Sequence, residues 1–239
     1  MTETVRVLAV FVLAGTVKGI TGLGLPTVAV SLLSLWMAPA QAAALLVLPA
    51  LATNVAQCVG PHFRAIAARL WPTWLALAVV LVATPEFDAH RLGFDPRRLL
   101  GVVLIVYGTW GLMKPALPDL SHRSRAIGFV VGGLTGLVTA TTAVFVVPLV
   151  PYLQSMRFDK DTTVQAFGLS FMVATLGLTA RLGHGGHLSL LSASTGLAVL
   201  GAFAGLAAGA FVRARISAAA FQRALFVIFI ALGVAGLIS

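Results

Sequence analysis

The stretch Gly15-Thr-Val-Lys-Gly-Ile-Thr-Gly-Leu-Gly-Leu-Pro26 interrupts an apolar run that extends from position 5 to position 36. A helix that crosses a hydrocarbon core of about 30 Å needs about 20 residues, so this run is too long for one span. Glycine weakens a helix, and proline is tolerated where a helix starts. We therefore expect two helical limbs that meet at a break between Gly19 and Pro26.

The composition of the whole chain is that of an integral membrane protein. Of its 239 residues, 59% are hydrophobic and 10% are charged, and the mean hydropathy is +1.01. A soluble domain carries roughly 25% charged residues. The formal charge of +9 fits an excess of Lys and Arg in cytoplasmic loops, so we expect a lipid bilayer and no nucleic acid as partner. The single Cys58 excludes an intrachain disulfide and a Cys-rich metal site, and we expect no metal and no cofactor.

The two halves of the chain resemble each other. Arg98 to Leu112 aligns with Arg223 to Leu237, and Gly15-x-x-x-Gly19 resembles Gly132-x-x-x-Gly136. We therefore expect one integral membrane domain with a first transmembrane repeat at 1–116 and a second at 117–239. Each repeat contributes four apolar segments, at about 5–36, 40–58, 70–84 and 97–113, and at 125–155, 162–181, 189–212 and 219–238. Duplicated bundles are typical of transporters, although duplication for the fold alone is an alternative.

The first segment of the second repeat is also long, and it is interrupted around Thr135-Gly136 and Thr139–Thr142. Each long segment either runs straight on or folds back as a V. If both fold back, the Lys and Arg residues other than Lys18 divide five against ten between the two sides; the straight arrangement gives almost no bias. The positive-inside rule favours the V and makes the richer side cytoplasmic. That side holds Arg64, Arg69, Lys114, Arg123, Arg125, Arg157, Lys160, Arg213, Arg215 and Arg223.

The fold class expected from this pattern is all-α. It is a polytopic membrane helical bundle of two inverted repeats, each a broken V-shaped helix pair plus three transmembrane helices. Both chain termini are then expected outside the cytoplasm. In this arrangement both breaks lie near the bilayer midplane, where irregular backbone is tolerated only in protein or beside a wet cavity.

The chemistry is expected at the two breaks. The returning half-helices, at about 25–36 and 143–155, would direct unpaired N–H groups and positive dipole ends to the centre, which suits an anion. Lys18 is the only charged residue deep inside an apolar segment, and such a residue is a functional candidate. Alternatively, Lys18 snorkels or neutralises backbone carbonyls. We predict a small anion between the breaks, with Thr21, Gly22 and Gly24 at the first.

Further polar residues complete the candidate binding set. At the second break, Thr139, Thr141 and Thr142 offer hydroxyl donors. Asn54 in the first repeat and Gln165 and Ser170 in the second lie in otherwise apolar segments. Each of these three is interpreted either as a ligand or as an interhelical hydrogen-bonding residue.

Buried acid–base groups are absent from the apolar segments. All seven acidic residues and all five histidines fall in predicted loops or the N-terminal tail, including the pair His184 and His187. A membrane-embedded enzyme acting on a lipid phosphate would need a general acid or base or metal ligands at membrane depth. We therefore expect no enzyme and keep that class as an alternative. A further alternative is an anion channel that is not coupled to an ion gradient, because the apolar segments hold no carboxylate for such coupling.

These features resemble the sulfite exporter TauE/SafE family of small-anion permeases. The likeness rests on the stretch 14–24, on Leu48-Pro-Ala-Leu-Ala-Thr-Asn54, and on Gly132-Gly-Leu-Thr-Gly136 before Val146-Val-Pro-Leu-Val-Pro-Tyr-Leu-Gln154. The resemblance implies export of sulfite or an organosulfonate. At Val138–Thr142 this chain departs from the family's usual glycine-rich motif. We expect a multi-pass protein of a bacterial inner membrane; a homo-oligomer is compatible with the sequence.

Overall fold

The computed structural model describes residues 2–84, 95–120, 125–184, 192–213, 215 and 217–238. All regular secondary structure within these ranges is helical. The helices are α1 (Thr2–Thr21), α2 (Leu25–Leu33), α3 (Pro39–Cys58), α4 (Phe63–Ala83), α5 (Pro96–Met113), α6 (Arg125–Thr142), α7 (Leu149–Ser155), α8 (Lys160–His184), α9 (Ala193–Arg213) and α10 (Ala218–Ile238). The all-α membrane fold class is thereby confirmed.

Seven of these helices are long and apolar enough to cross a membrane, judged by length and composition: α1, α3, α4, α6, α8, α9 and α10. The sequence predicted six spans. The structure adds α1 and α6 to that set and leaves out α5. With 20 and 18 residues, α1 and α6 measure about 30 and 27 Å and are therefore span-length. The helix α5 falls short because Pro96, Arg97 and Arg98 lower its mean hydropathy.

The described helices group into two compact units that do not follow the halves of the sequence. Unit 1 comprises α1, α2, the part of α3 up to Pro49, α5, α9 and α10. Unit 2 comprises α3 from Ala50 onward, α4, α6, α7 and α8. Each unit therefore combines helices from both predicted repeats.

In unit 1, glycines hold α1 and α9 in backbone contact. A methyl group at Gly205 would lie 2.0 Å from the carbonyl oxygen of Val12, and one at Gly209 would lie 2.3 Å from that of Thr16. From the other side, a methyl group at Gly15 would meet the carbonyl oxygen of Ala202 at 2.2 Å. The motif Gly201-x-x-x-Gly205-x-x-x-Gly209 is thus a packing face, as its small-residue spacing predicts.

Unit 2 repeats this packing between α6 and α4. A methyl group at Gly132 would lie 2.1 Å from the carbonyl oxygen of Thr73, and one at Gly136 would lie 2.7 Å from that of Leu77. In unit 1, a methyl group at Gly19 would lie 2.5 Å from the carbonyl oxygen of Leu206. Gly15 and Gly19 therefore face two carbonyls four residues apart on α9, and Gly132 and Gly136 face two carbonyls four residues apart on α4. The two pairs of glycines thus make equivalent contacts, while the duplication and its inversion stay predictions.

Side-chain hydrogen bonds cap the start of α8 and join its other end to α4. At its start, the hydroxyl and backbone amide of Thr162 donate to the Asp159 carboxylate and hold the pKa of that group below its usual value. At its other end, the Arg181 guanidinium donates to the carbonyl oxygens of Leu81 and Thr84 at the end of α4. The Arg181 bonds therefore join the C-terminal ends of α8 and α4.

Candidate functional site

The first apolar run breaks where the sequence predicts it. The helix α1 ends at Thr21 and α2 begins at Leu25. Between them, Gly22 and Gly24 have φ angles of 78° and 94°, which side chains rarely tolerate. The Thr21 hydroxyl has one proton, and its oxygen lies 2.9 Å from the carbonyl oxygen of Val17 and 2.8 Å from that of Leu23, so it donates to one of these carbonyls at a time within the turn.

The short helix α2 packs back against α1. A methyl group at Gly24 would lie 3.1 Å from the Cγ1 atom of Val17, seven residues upstream. In a continuous helix these two positions are about 10 Å apart along the axis. The chain therefore reverses at this break, as the V-shaped interpretation of the first segment requires.

Lys18 lies in the last turn of α1, immediately before the break, and only 4% of its surface is exposed. Its carbonyl oxygen accepts a hydrogen bond of 2.7 Å from the Gly22 amide, so the backbone of Lys18 is part of the break itself. A charged side chain buried in a membrane helix is costly, which makes Lys18 a candidate for function.

The start of α2 has donors that the chain does not use. Its N-cap, Gly24, has no side chain to cap the helix, and the Val28 amide donates to the Gly24 carbonyl at 2.9 Å. Among the described residues, the amides of Leu25 and Thr27 have no such partner, and Pro26 has no N–H. The Thr27 hydroxyl is fully buried and likewise has no hydrogen-bond partner. Sequence reasoning did not single out Thr27.

The second long segment breaks later than predicted. The helix α6 continues through Thr142, and α7 begins only at Leu149, six residues further on than the predicted limb. The reason is local chemistry. Pro148 lacks an N–H and disfavours helical geometry at the residue before it, while Ala143 has a φ angle of 56°. The returning limb α7 has only seven residues.

The three threonines at the end of α6 use their hydroxyls within the helix. Thr139 donates to the carbonyl oxygen of Thr135, and Thr142 donates to that of Val138, each at 2.7 Å. Thr141 also donates to the Val138 carbonyl, at 3.0 Å. These bonds keep the threonines helical, so they lie before the break and not inside it. A role in anion binding stays a prediction for all three.

Gln165 on α8 connects to the turn between α3 and α4. Its Nε2 donates to the carbonyl oxygens of Cys58 at 3.1 Å and Gly60 at 2.9 Å. Its Oε1 accepts from the backbone amide of His62 at 3.1 Å. The amide group is thus engaged on both sides by backbone, which favours the hydrogen-bonding interpretation of Gln165 over the ligand interpretation.

Ser170 and Asn54 are buried in unit 2. The Ser170 hydroxyl accepts a hydrogen bond of 2.9 Å from the indole nitrogen of Trp74 on α4. Sequence reasoning assigned no role to Trp74. Its position in the middle of α4 and this bond join α4 to α8. Asn54 lies on α3, and its role as ligand or packing residue stays a prediction.

Replacing Gln165 by glutamate should destabilise the protein. Glutamate keeps the shape but has no N–H group, so the carbonyls of Cys58 and Gly60 would lose their donor and face another acceptor. Each unsatisfied buried group costs about 1–3 kcal/mol. We expect a clearly lower Tm in detergent, measured by thermal unfolding.

The matched control is Gln154→Glu, on an exposed position of α7, which should leave Tm unchanged. If Gln165 were instead a ligand, Gln165→Glu would weaken anion binding without lowering Tm. That pattern would contradict the structural role.

No acidic side chain or histidine among the described residues lies in the interior of a helix. Glu3 and Asp161 lie in first turns, and Asp95 caps α5. His184 ends α8 and its ring contacts the Ala180 carbonyl, while His187 lies outside the described residues. Among the described residues, no group of three or more His, Cys, Asp or Glu side chains is placed to hold a metal.

Comparison with known proteins gives one family. The family model described as sulfite exporter TauE/SafE matches residues 7–236, which is nearly the whole chain. The comparisons with curated proteins and with solved structures gave no match. The match extends over both halves of the sequence, and it confirms the resemblance to this family. The chain belongs to the sulfite exporter TauE/SafE family of membrane transporters.

Proposed function

We propose that this transporter exports a small sulfur-containing anion, sulfite or an organosulfonate, and binds it at the break between α1 and α2. The observation that carries the proposal is the buried Lys18 beside a helix start whose donors are unused by the chain. The family membership supports the class of substrate. The structure of unit 1 supports the location.

The donors at this break suit an oxyanion. Lys18 supplies a positive charge, the start of α2 supplies the positive end of a helix dipole, and Thr27 supplies a hydroxyl. A buried donor without a hydrogen-bond partner is destabilising, so the binding of an acceptor ligand would be favoured there. Thr21, Gly22 and Gly24 shape the turn that brings the start of α2 back against α1. Participation of the second break in holding the same anion stays a prediction.

A ligand screen tests the proposal directly. The purified protein is heated in the presence of sulfite, sulfate, thiosulfate, sulfoacetate, taurine and simple carboxylates. A ligand that binds only the folded form raises Tm in proportion to the logarithm of its concentration over Kd. We expect sulfite or a sulfonate to give the largest shift and the carboxylates the smallest. A ranking led by carboxylates would contradict the proposed substrate class.

Uncoupled movement of the anion is the second candidate, and one observation favours it. Among the described residues, no acidic side chain lies deeper in a helix than its first turn. Proton-coupled transporters commonly use such a carboxylate. Flux from proteoliposomes should therefore be the same with and without an imposed pH gradient at constant membrane potential. A flux that follows the gradient would establish coupling.

The loop charges support an inner-membrane orientation with both termini outside the cytoplasm.

A further inference from the structure

A largely apolar pocket with a few polar groups on its wall lies in unit 1, away from the break. It has a volume of about 60 Å³ and is lined by Ser31 and Ser34 at the end of α2, Arg97 and Leu100 at the start of α5, and Leu232 and Gly236 at the end of α10. One buried water needs about 10–15 Å³ on this scale. The pocket therefore has room for roughly four waters, or for one tetrahedral oxyanion.

Ser34 is the polar group of this pocket that the protein leaves unpaired. Only 6% of its surface is exposed, and its hydroxyl has no hydrogen-bond partner. The neighbouring Ser31 differs, because its hydroxyl donates to the Thr27 carbonyl oxygen at 2.5 Å. A buried hydroxyl without a partner is destabilising by itself. Ser34 lines the pocket, so an acceptor bound there would give this hydroxyl the partner that it lacks.

Arg97 supplies a positive charge to the same pocket. It is half-buried, and its backbone amide donates to the Asp95 carboxylate at 2.9 Å, which caps α5. Within the parts of the chain that the structure describes, its guanidinium forms no ion pair. A guanidinium binds phosphate or sulfonate oxygens through two parallel hydrogen bonds. The pocket thus joins a charged donor to a neutral one.

The remaining wall is apolar. Leu100 and Leu232 line the pocket beside the charged group. The pocket lies where α5 begins and α10 ends, and the ends of membrane helices are at the depth of lipid headgroups. A free anion would gain nothing from leucine side chains, whereas the glycerol and acyl portions of a lipid would bury apolar surface against them. This combination distinguishes a lipid from a dissolved ion.

We propose that this pocket binds the phosphate of an anionic phospholipid, with Arg97 and Ser34 as donors and the leucines against the lipid's apolar portion. The site is independent of the transport site at Lys18. It is a structural lipid site that stabilises unit 1. Inorganic phosphate shares the headgroup chemistry, so the experiment must separate the two sources.

Delipidated protein in a nonionic detergent is titrated with phosphatidylglycerol, with diacylglycerol and with inorganic phosphate. Tm and the number of bound lipids by native mass spectrometry are recorded. We expect phosphatidylglycerol to raise Tm and to remain bound, and the other two to do neither. An equal shift with inorganic phosphate would overturn the lipid assignment, and an equal shift with diacylglycerol would overturn the role of the phosphate.

Two variants and one control assign the residues. Arg97→Gln should weaken phosphatidylglycerol binding at least about tenfold, because a charge-assisted pair is lost. Ser34→Ala should fold normally, since it removes an unpaired hydroxyl, and should weaken binding several-fold. Arg98→Gln removes the same charge from an exposed neighbour that does not line the pocket, and should bind as the wild type does. Equal affinities for Arg97→Gln and Arg98→Gln would overturn the proposal.

Discussion

Replacing Lys18 by methionine is expected to reduce saturable sulfite flux in proteoliposomes to the background of protein-free liposomes. Methionine fills most of the space of a lysine that is only 4% exposed, but it supplies neither charge nor donor. A hydrogen bond from a charged group contributes about 1.5–3 kcal/mol. The affinity for the anion should therefore fall by tenfold to more than a hundredfold, measured as the concentration dependence of the Tm shift that sulfite causes.

Lys160→Met provides the matched control, because Lys160 is exposed at the start of α8. It changes the formal charge by the same amount and should leave both flux and Tm unchanged. Lys18→Met should remain folded in detergent, and its Tm is measured beside that of the wild type to check this. If Lys18→Met showed undiminished flux and unchanged affinity, the assignment of the anion site to the first break would be wrong.

Replacing Gly205 by alanine should destabilise the protein more than the same replacement at any other glycine between packed helices. The added carbon would lie 2.0 Å from the carbonyl oxygen of Val12, well inside van der Waals contact. Neither backbone can move locally, because Gly201 and Gly209 hold the same two helices together one turn away on each side. Overpacking typically costs 1–3 kcal/mol, and a backbone clash should exceed about 3 kcal/mol. Size-exclusion chromatography and Tm in detergent measure the loss.

Gly196→Ala is the control within the same helix. No heavy atom lies within 4 Å of a methyl group built there. Alanine is favoured over glycine in a helix interior by about 1 kcal/mol, so Tm should stay equal or rise slightly. A Gly205→Ala protein as stable as Gly196→Ala would show that α1 and α9 do not pack through these glycines.

Much of the fold could be predicted from local signals. The spacing of Gly15 and Gly19, matched by Gly132 and Gly136, pointed to duplicated elements, and these glycines make equivalent contacts in the two units. The first break was also located correctly, because glycine and proline act on their own backbone geometry and need no distant partner. A buried lysine is equally visible in sequence, since charge is rare within apolar segments.

Other features depend on distant partners or on competing local bonds. Hydroxyls that return to carbonyls four residues earlier are compatible with a helix, so the threonine cluster before position 143 did not mark a break. Gln165 binds backbone more than a hundred residues away, and no local pattern indicates that. The bond between the side chains of Ser170 and Trp74, 96 residues apart, is equally invisible in the local sequence. The carbonyls that face the packing glycines carry no side-chain signature.

The exchange of helices between the halves has a consequence for the order in which the chain is made. The partner of α1 is α9, which begins at Ala193, long after α1 has ended at Thr21. Unit 2 has all its helices once His184 has been synthesised. A growing chain therefore completes unit 2 first. Until α9 has been synthesised, the glycine face of α1, the helix that carries Lys18, lacks its packing partner. Termination before α9 leaves the helix that carries Lys18 without its packing surface.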